Sequence, residues 1–381
     1  MKVEIYSPTI RRKEMDAVLT AMVEEKIGPG DRSRLLIQIA KEQIAFDYAL
    51  SLRSPAVALF LALKALVKPG QAVVISALSP RYYVQVLRDL QLTPLYCDVS
   101  YDLPVISRET IEAAIAGKPA DIEAGAVVVH HTLGFLPDTA AIAELGIPVI
   151  EDISQSCGFW IKPASKKDDE PPSGDKHSNK NGDSSHSPLP APHSPFYILG
   201  LEERDMLTSG GGALLFTMNR KDSSLLRGYS GIADEYCLPD INAALAVVQF
   251  KEIYKNIEKR RSIAEVYMKA CLSLSARTKH KRFIQEAVSQ PDAPSNDNEY
   301  CSYAFSLVLE AGFKDVIAYA KKKEIEIENA FENTIAGAGF DLGSNCPVSS
   351  SLILRTINFP IYPRLRSSDI ERISRLIMTL P

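Results

Sequence analysis

Several residues of this chain have the types and spacing that chemistry needs. Ile150-Glu151-Asp152 closes an apolar run and so puts a carboxylate at a strand end. There it can hold a cationic group or cap the turn that follows. His130-His131 closes another run, and an imidazole at that place can move a proton near neutral pH; a structural role for His131 is the competing reading. Gly210-Gly211-Gly212 has the glycine density of a phosphate loop, yet it precedes a strand rather than a helix, which points to a tight turn. Between Lys180 and Lys221 there is no lysine at all, and Arg204 stands in that gap. A guanidinium stays protonated, with a pKa above about 12, so it can neither form an imine nor act as a base. The six cysteines, Cys97, Cys157, Cys237, Cys271, Cys301 and Cys346, form no C-x-x-C pair, and His177, His186 and His193 are irregularly spaced. Neither set predicts a metal site, and reduced thiols are expected rather than a disulfide framework.

These residues need a frame. Short apolar runs at Ala72–Ser76, Pro94–Val99, Ala126–His131 and Ile147–Asp152 alternate with helical patterns at Tyr83–Leu90, Arg108–Ile115 and Thr139–Glu144. That alternation predicts an α/β domain with a mainly parallel sheet, whose ligands gather at the carboxyl ends of the strands. Helical spacing at Met15, Val18, Leu19, Met22 and Val23 ends at Gly28-Pro29-Gly30, and Val57–Leu66 is apolar nearly all round, as a buried helix would be. Residues 162–195 hold almost no large apolar side chain and are expected to be a disordered surface insertion. Ala213–Phe216 reads as a further strand and Ile241–Tyr267 as a long helix or helix pair. In the C-terminal part, Ala304–Leu309 and Leu352–Leu354 are strand candidates, with helices at Lys314–Lys323 and Ser368–Met378. The expected division is a large domain over 1–250, interrupted by the insertion, and a linking helix plus small α/β domain over 251–381.

With 381 residues, 46% of them hydrophobic, the chain can bury a sizeable core in two domains. A net charge of −4 with mixed signs offers no basic stripe for nucleic acid. No signal-peptide pattern opens the chain, and no apolar run reaches the roughly 18 residues of a membrane span. A cytoplasmic protein is expected.

The run Ile150–Gly158 resembles the I-E-D-A-A-Q-A-H-G motif of the DegT/DnrJ/EryC1/StrS sugar aminotransferases. Cys346-Pro347 with Asn358–Leu365 is similar to that family's C-P…L-P-M-Y-P-x-L ending. Gly28-Pro29, Val129–Gly134 (family V-H-L-Y-G), Leu207–Ala213 (family L-T-T-G-E-G-G-A), Ala243–Leu245 before Gln249, and Arg260-Arg261 before Tyr267 fall in the family's order and spacing. The resemblance implies the type I, aspartate-aminotransferase-like fold, a homodimer, and pyridoxal phosphate as cofactor. It also implies transfer of an amino group from glutamate or glutamine to a keto-sugar nucleotide, in the making of polysaccharide and cell-envelope sugars.

Carried residue by residue, the resemblance makes Asp152 the partner of the cofactor's ring nitrogen and Gln155 the neighbour of its ring hydroxyl, and puts His131 on the V-H-L-Y-G histidine. Arg204 falls where the family has its Schiff-base lysine. The phosphate-binding S-G-T becomes Ser54-Pro55-Ala56, with one N–H and one hydroxyl lost. Leu199 replaces a serine, and Glu235 an asparagine that reaches the phosphate from the partner subunit; a carboxylate there repels a phosphate. The stacking aromatic becomes Pro80, with Tyr82 or Tyr83 as substitutes. Arg204 is open to three readings: a surface arginine, a cation paired with Asp152, or a bidentate anion ligand. Three functions follow. The chain is a degenerate homologue acting as a binding or regulatory dimer, with a nucleotide sugar or an active paralogue as partner; or it is an active aminotransferase; or it uses the aminated cofactor without a Schiff base, as a dehydratase branch with histidine at the lysine position does.

Overall fold

The apolar runs assemble into two sheets in the computed structural model, which describes residues 2–161, 193–275, 278–284, 302–342 and 345–381. Most of the insertion, with His177 and His186, lies outside the described residues, as does Cys301. The larger sheet takes β1 (Tyr48–Leu52), β2 (Ala72–Ser76), β3 (Thr93–Cys97), β4 (Ala124–His130), β5 (Val149–Asp152), β6 (Phe196–Gly200) and β7 (Ala213–Thr217) in the order β1-β7-β6-β5-β4-β2-β3. From β6 through β5, β4 and β2 to β3 every pairing is parallel, and only β7 runs against its neighbours. The five residues of β2, β6 and β7 are buried throughout, as strands covered on both faces must be.

Helices α1 (Arg12–Val23), α2 (Asp31–Ile44), α3 (Pro55–Leu66), α4 (Tyr82–Asp89), α5 (Arg108–Ala116), α6 (Thr139–Ala143) and α7 (Arg220–Arg227) accompany this sheet. Ser54 starts α3 by accepting the Val57 N–H on its hydroxyl, with Pro55 at the first helical position, where a missing donor does no harm to the helix.

The long pattern after β7 is one helix, α8 (Asp240–Ser275). Its first part, Ala243 to Ile257, packs into the core under the large sheet, and Ile263 to Leu274 pack into a second core. That second core also holds α9 (Lys314–Lys322), α11 (Ser367–Met378) and an antiparallel sheet of β8 (Phe305–Val308), β10 (Thr356–Phe359) and β9 (Glu328–Asn329), while α10 (Pro347–Leu352) lies just before β10. Val3 bridges to Ile325 and joins this smaller unit. Leu352–Leu354 is therefore not a strand: α10 and the turn after it occupy those residues, and the strand starts at Thr356. The reason is a cap. Asp98 accepts the N–H groups of Val348 and Ser349 and the Ser349 hydroxyl, which fixes a helix behind Pro347.

Candidate functional site

The parallel strands deliver their carboxyl ends to one edge of the sheet. Asp152 closes β5 in register with His130 of β4, and β2 ends nearby, sending the chain through Leu78 and Pro80 into α4. Above this edge stands a cavity of about 270 Å³, closed on the far side by Tyr303, Glu328, Phe331 and Asn358 of the smaller unit. His130, Gln155, Pro80, Arg204 and Asp205 line the near side, with Tyr6 and Arg260. Among the described residues no lysine lines it.

Asp152 is 1% exposed. Its Oδ2 accepts the Tyr83 hydroxyl at 2.7 Å and the Tyr82 hydroxyl at a longer 3.4 Å. Its Oδ1 accepts the Ser154 N–H at 3.1 Å and the Ser154 hydroxyl at 2.5 Å. Burial, and next the charge of Asp152, raise both phenols well above 10, which keeps them protonated as donors. The same serine oxygen accepts the Gly200 N–H at 2.7 Å, so its own proton is directed at the carboxylate.

Arg204 makes a different contact from the one with Asp152 that a vacant lysine position suggests. Its Nη1 donates to Glu328 Oε2 at 2.7 Å, its guanidinium lies 5.9 Å from the Tyr6 ring centre, and its side chain is 49% exposed. Neutral hydroxyls already serve Asp152, while Glu328 on β9 offers the arginine a carboxylate at the cavity rim.

Gln155 Oε1 accepts the Leu133 N–H at 2.6 Å, which fixes the amide against the loop after β4. His131 is held inside the protein: Nδ1 meets the Ser156 hydroxyl at 2.7 Å and Nε2 meets Glu151 at 3.1 Å. His130 faces the cavity instead, bonded to the Thr132 hydroxyl at 2.9 Å, and burial lowers its pKa to about 4. Asp205, one residue after Arg204, accepts the Glu202 N–H at 2.8 Å. Burial pushes its carboxyl well above the usual range; the Glu202 N–H opposes this and the nearby Asp152 charge adds to it.

The other residues carried over from the family pattern do not line the cavity, although Pro55 lies beside Gly200 near Ser154 and Asp205, and Ala56 packs against the core. Ser54 spends its hydroxyl on α3 itself, Pro55 is buried beside Gly200, and Leu199 is fully buried in the core. Glu235 is exposed, away from the cavity, with its carbonyl accepting from Arg53. Gly210, Gly211 and Gly212 have φ of 71°, 135° and 133°, a turn with a conformation that glycine favours. Sequence reasoning missed Ser154, Asp205, Glu328, Tyr6 and Tyr303. Only Ser154 had a visible signal, as the hydroxyl in place of the second alanine of I-E-D-A-A-Q. No group of three or more His, Cys, Asp or Glu among the described residues could hold a metal, and no described helix is long and apolar enough to cross a membrane.

Comparison with known proteins gives this geometry its setting. Among solved structures the chain is similar to the aminotransferase TlmJ from Streptoalloteichus hindustanus, with 19% identity, a TM-score of 0.73, and 99% of this chain and 98% of that chain covered. It is similar to an aminotransferase from Psychrobacter cryohalolentis at 17% identity and a TM-score of 0.76, covering 97% and 96% of the two chains. Spr1654 from Streptococcus pneumoniae in its PLP form follows at 15% identity and 0.76, covering 100% and 98%. At such identities the likeness establishes the fold, the type I fold of pyridoxal-phosphate-dependent transferases. The family match itself covers residues 8–165 and 216–378. Matched on both sides of a single break, this chain belongs to the DegT/DnrJ/EryC1/StrS aminotransferase family.

Proposed function

We propose that this chain is a member of its family that has given up transamination and serves as a binding or regulatory protein in nucleotide-sugar metabolism. The observation that carries this reading is the absence of any lysine among the described residues that line the cavity, with Arg204 tied to Glu328 at its rim. Arginine cannot form the Schiff base or shuttle its proton. The family match breaks over residues 166–215, the stretch that holds Arg204.

The cofactor of the family is pyridoxal phosphate, and the residues here do not fit it. Of the donors the family uses for the phosphate, Pro55 has no N–H and the Ser54 hydroxyl serves Val57.

A homodimer in the cytosol completes the proposal, with a nucleotide sugar or an active paralogue as ligand or partner and polysaccharide or cell-envelope sugars as the setting. Free thiols at all five described cysteines support a reducing compartment. Family membership favours the opposite reading, an enzyme moving an amino group from glutamate to a keto-sugar nucleotide. Titration of the purified protein with pyridoxal phosphate, followed by borohydride, decides between them. We expect no spectral change at micromolar cofactor; a reducible band would establish the enzyme.

A further inference from the structure

We propose that the chain occupies its own ring-nitrogen site: the hydroxyls of Tyr82, Tyr83 and Ser154 saturate the Asp152 carboxylate, and this, more than the missing lysine, excludes the cofactor's ring. The inference rests on the reading above and locates its cause.

A carboxylate offers about four lone-pair sites. Four donors face them, two on each oxygen: Tyr83 at 2.7 Å and Tyr82 at a longer 3.4 Å on Oδ2, and the Ser154 N–H and hydroxyl on Oδ1. A pyridinium N–H needs one of these sites at hydrogen-bond distance, and the Tyr83 oxygen already stands 2.7 Å from Oδ2. The arrangement is fixed rather than incidental. Tyr83 is fully buried, packed edge-on against Tyr82 and His130 at centroid distances of 5.0 and 6.3 Å. Ser154 cannot turn away without losing the Gly200 N–H. These aromatic rings therefore meet the carboxylate through their hydroxyls; they do not lie ready as a stacking platform. An acid that is buried and fully hydrogen-bonded has no need of an incoming cation.

The consequence is that restoring lysine is not enough. Pyridoxamine phosphate, which needs no Schiff base, and pyridoxal phosphate are the probes. Their binding is measured by equilibrium dialysis and difference absorbance, with borohydride reduction for the latter. The proteins are the full chain, Arg204→Lys, and Arg204→Lys combined with Tyr82→Phe and Tyr83→Phe. We expect Arg204→Lys to bind neither probe better than the parent chain. The triple variant should bind pyridoxamine phosphate about ten- to hundred-fold more tightly, the worth of one hydrogen bond to a charged group. Should loss of the Tyr83 hydroxyl impair folding, judged by circular dichroism, Arg204→Lys with Tyr82→Phe and Ser154→Ala frees one site on each oxygen and is read the same way.

A reducible adduct in Arg204→Lys alone overturns this proposal while leaving the non-transaminating reading of the parent chain intact. No gain in either combination overturns it as well. A reducible band in the parent chain defeats both.

Discussion

Burial governs the titration of His130 and Asp205 at the cavity, and His130 gives the clearer consequence. Its imidazole is 3% exposed, with the Asp152 carboxylate favouring its charged form and His131 opposing it. Burial dominates and takes the pKa from 6.5 to about 4. The unfolded chain therefore binds a proton near pH 6.5 that the folded chain refuses until about pH 4. Stability from this group is complete above pH 6.5 and falls as pH drops toward 4, by about 1.4 kcal/mol per unit. Urea unfolding of the chain and of His130→Gln between pH 7 and pH 4, within the reach of about one proton, should show that extra slope only with histidine present; equal slopes would contradict it. At this scale the sequence is readable where a residue acts through its neighbours in the chain. Asp152 announces itself at the end of an apolar run, and the serine beside it stands where the family has alanine. The partner of Arg204 is another matter. Glu328 lies 124 residues away on β9 of the small sheet, whereas Arg204 sits in the turn after β6, and no spacing rule connects them.

Elements were legible where periodicity and burial agree. The runs that became β2, β3, β4, β5 and β7, and the helical patterns between them, are legible as periodicity, whereas β1 and β6 give no such signal and escape the sequence reading. Around Pro347 they disagree: Leu352-Ile353-Leu354 has the look of a strand, but a carboxylate 250 residues upstream holds the preceding backbone in a helical turn. Asp98 makes three bonds to α10, to the Val348 N–H at 2.8 Å, the Ser349 N–H at 2.8 Å and the Ser349 hydroxyl at 2.6 Å, and so pins the start of the smaller unit's last segment to the end of β3. Removing this side chain leaves the two N–H groups of α10, and that of Val99, without their acceptor. Asp98→Ala should cost about 2 kcal/mol, at the upper end for a helix cap because it also joins two units. Asp98→Asn, which keeps one acceptor oxygen, should cost less. Urea midpoints of the two variants check this ordering, and equal midpoints would show that Asp98 carries no such load.

For the molecule as a whole, the feature that the monomer leaves unexplained is the outer face of α1. Met15, Leu19, Met22 and Val23 repeat at helical spacing and continue to Ile27, with exposures from 54% to 75%. Glu14 and Ala21, on the opposite face, are buried. Single exposed apolar residues are ordinary, but four along one face of α1, with Ile27 exposed just beyond its end, form the kind of patch that marks an association surface. The homodimer proposed for this chain gives the stripe an occupant, a second copy of itself. An isologous contact would bring the stripe against its own symmetry mate, so one charge introduced there appears twice in the same interface. Leu19→Glu and Val23→Glu should therefore shift the chain from dimer to monomer in sedimentation at micromolar concentration. Circular dichroism should stay unchanged, because neither side chain belongs to the core. A parent chain that sediments as a monomer would remove the dimer from the proposal. A variant that stays dimeric would move the interface to another face of the molecule.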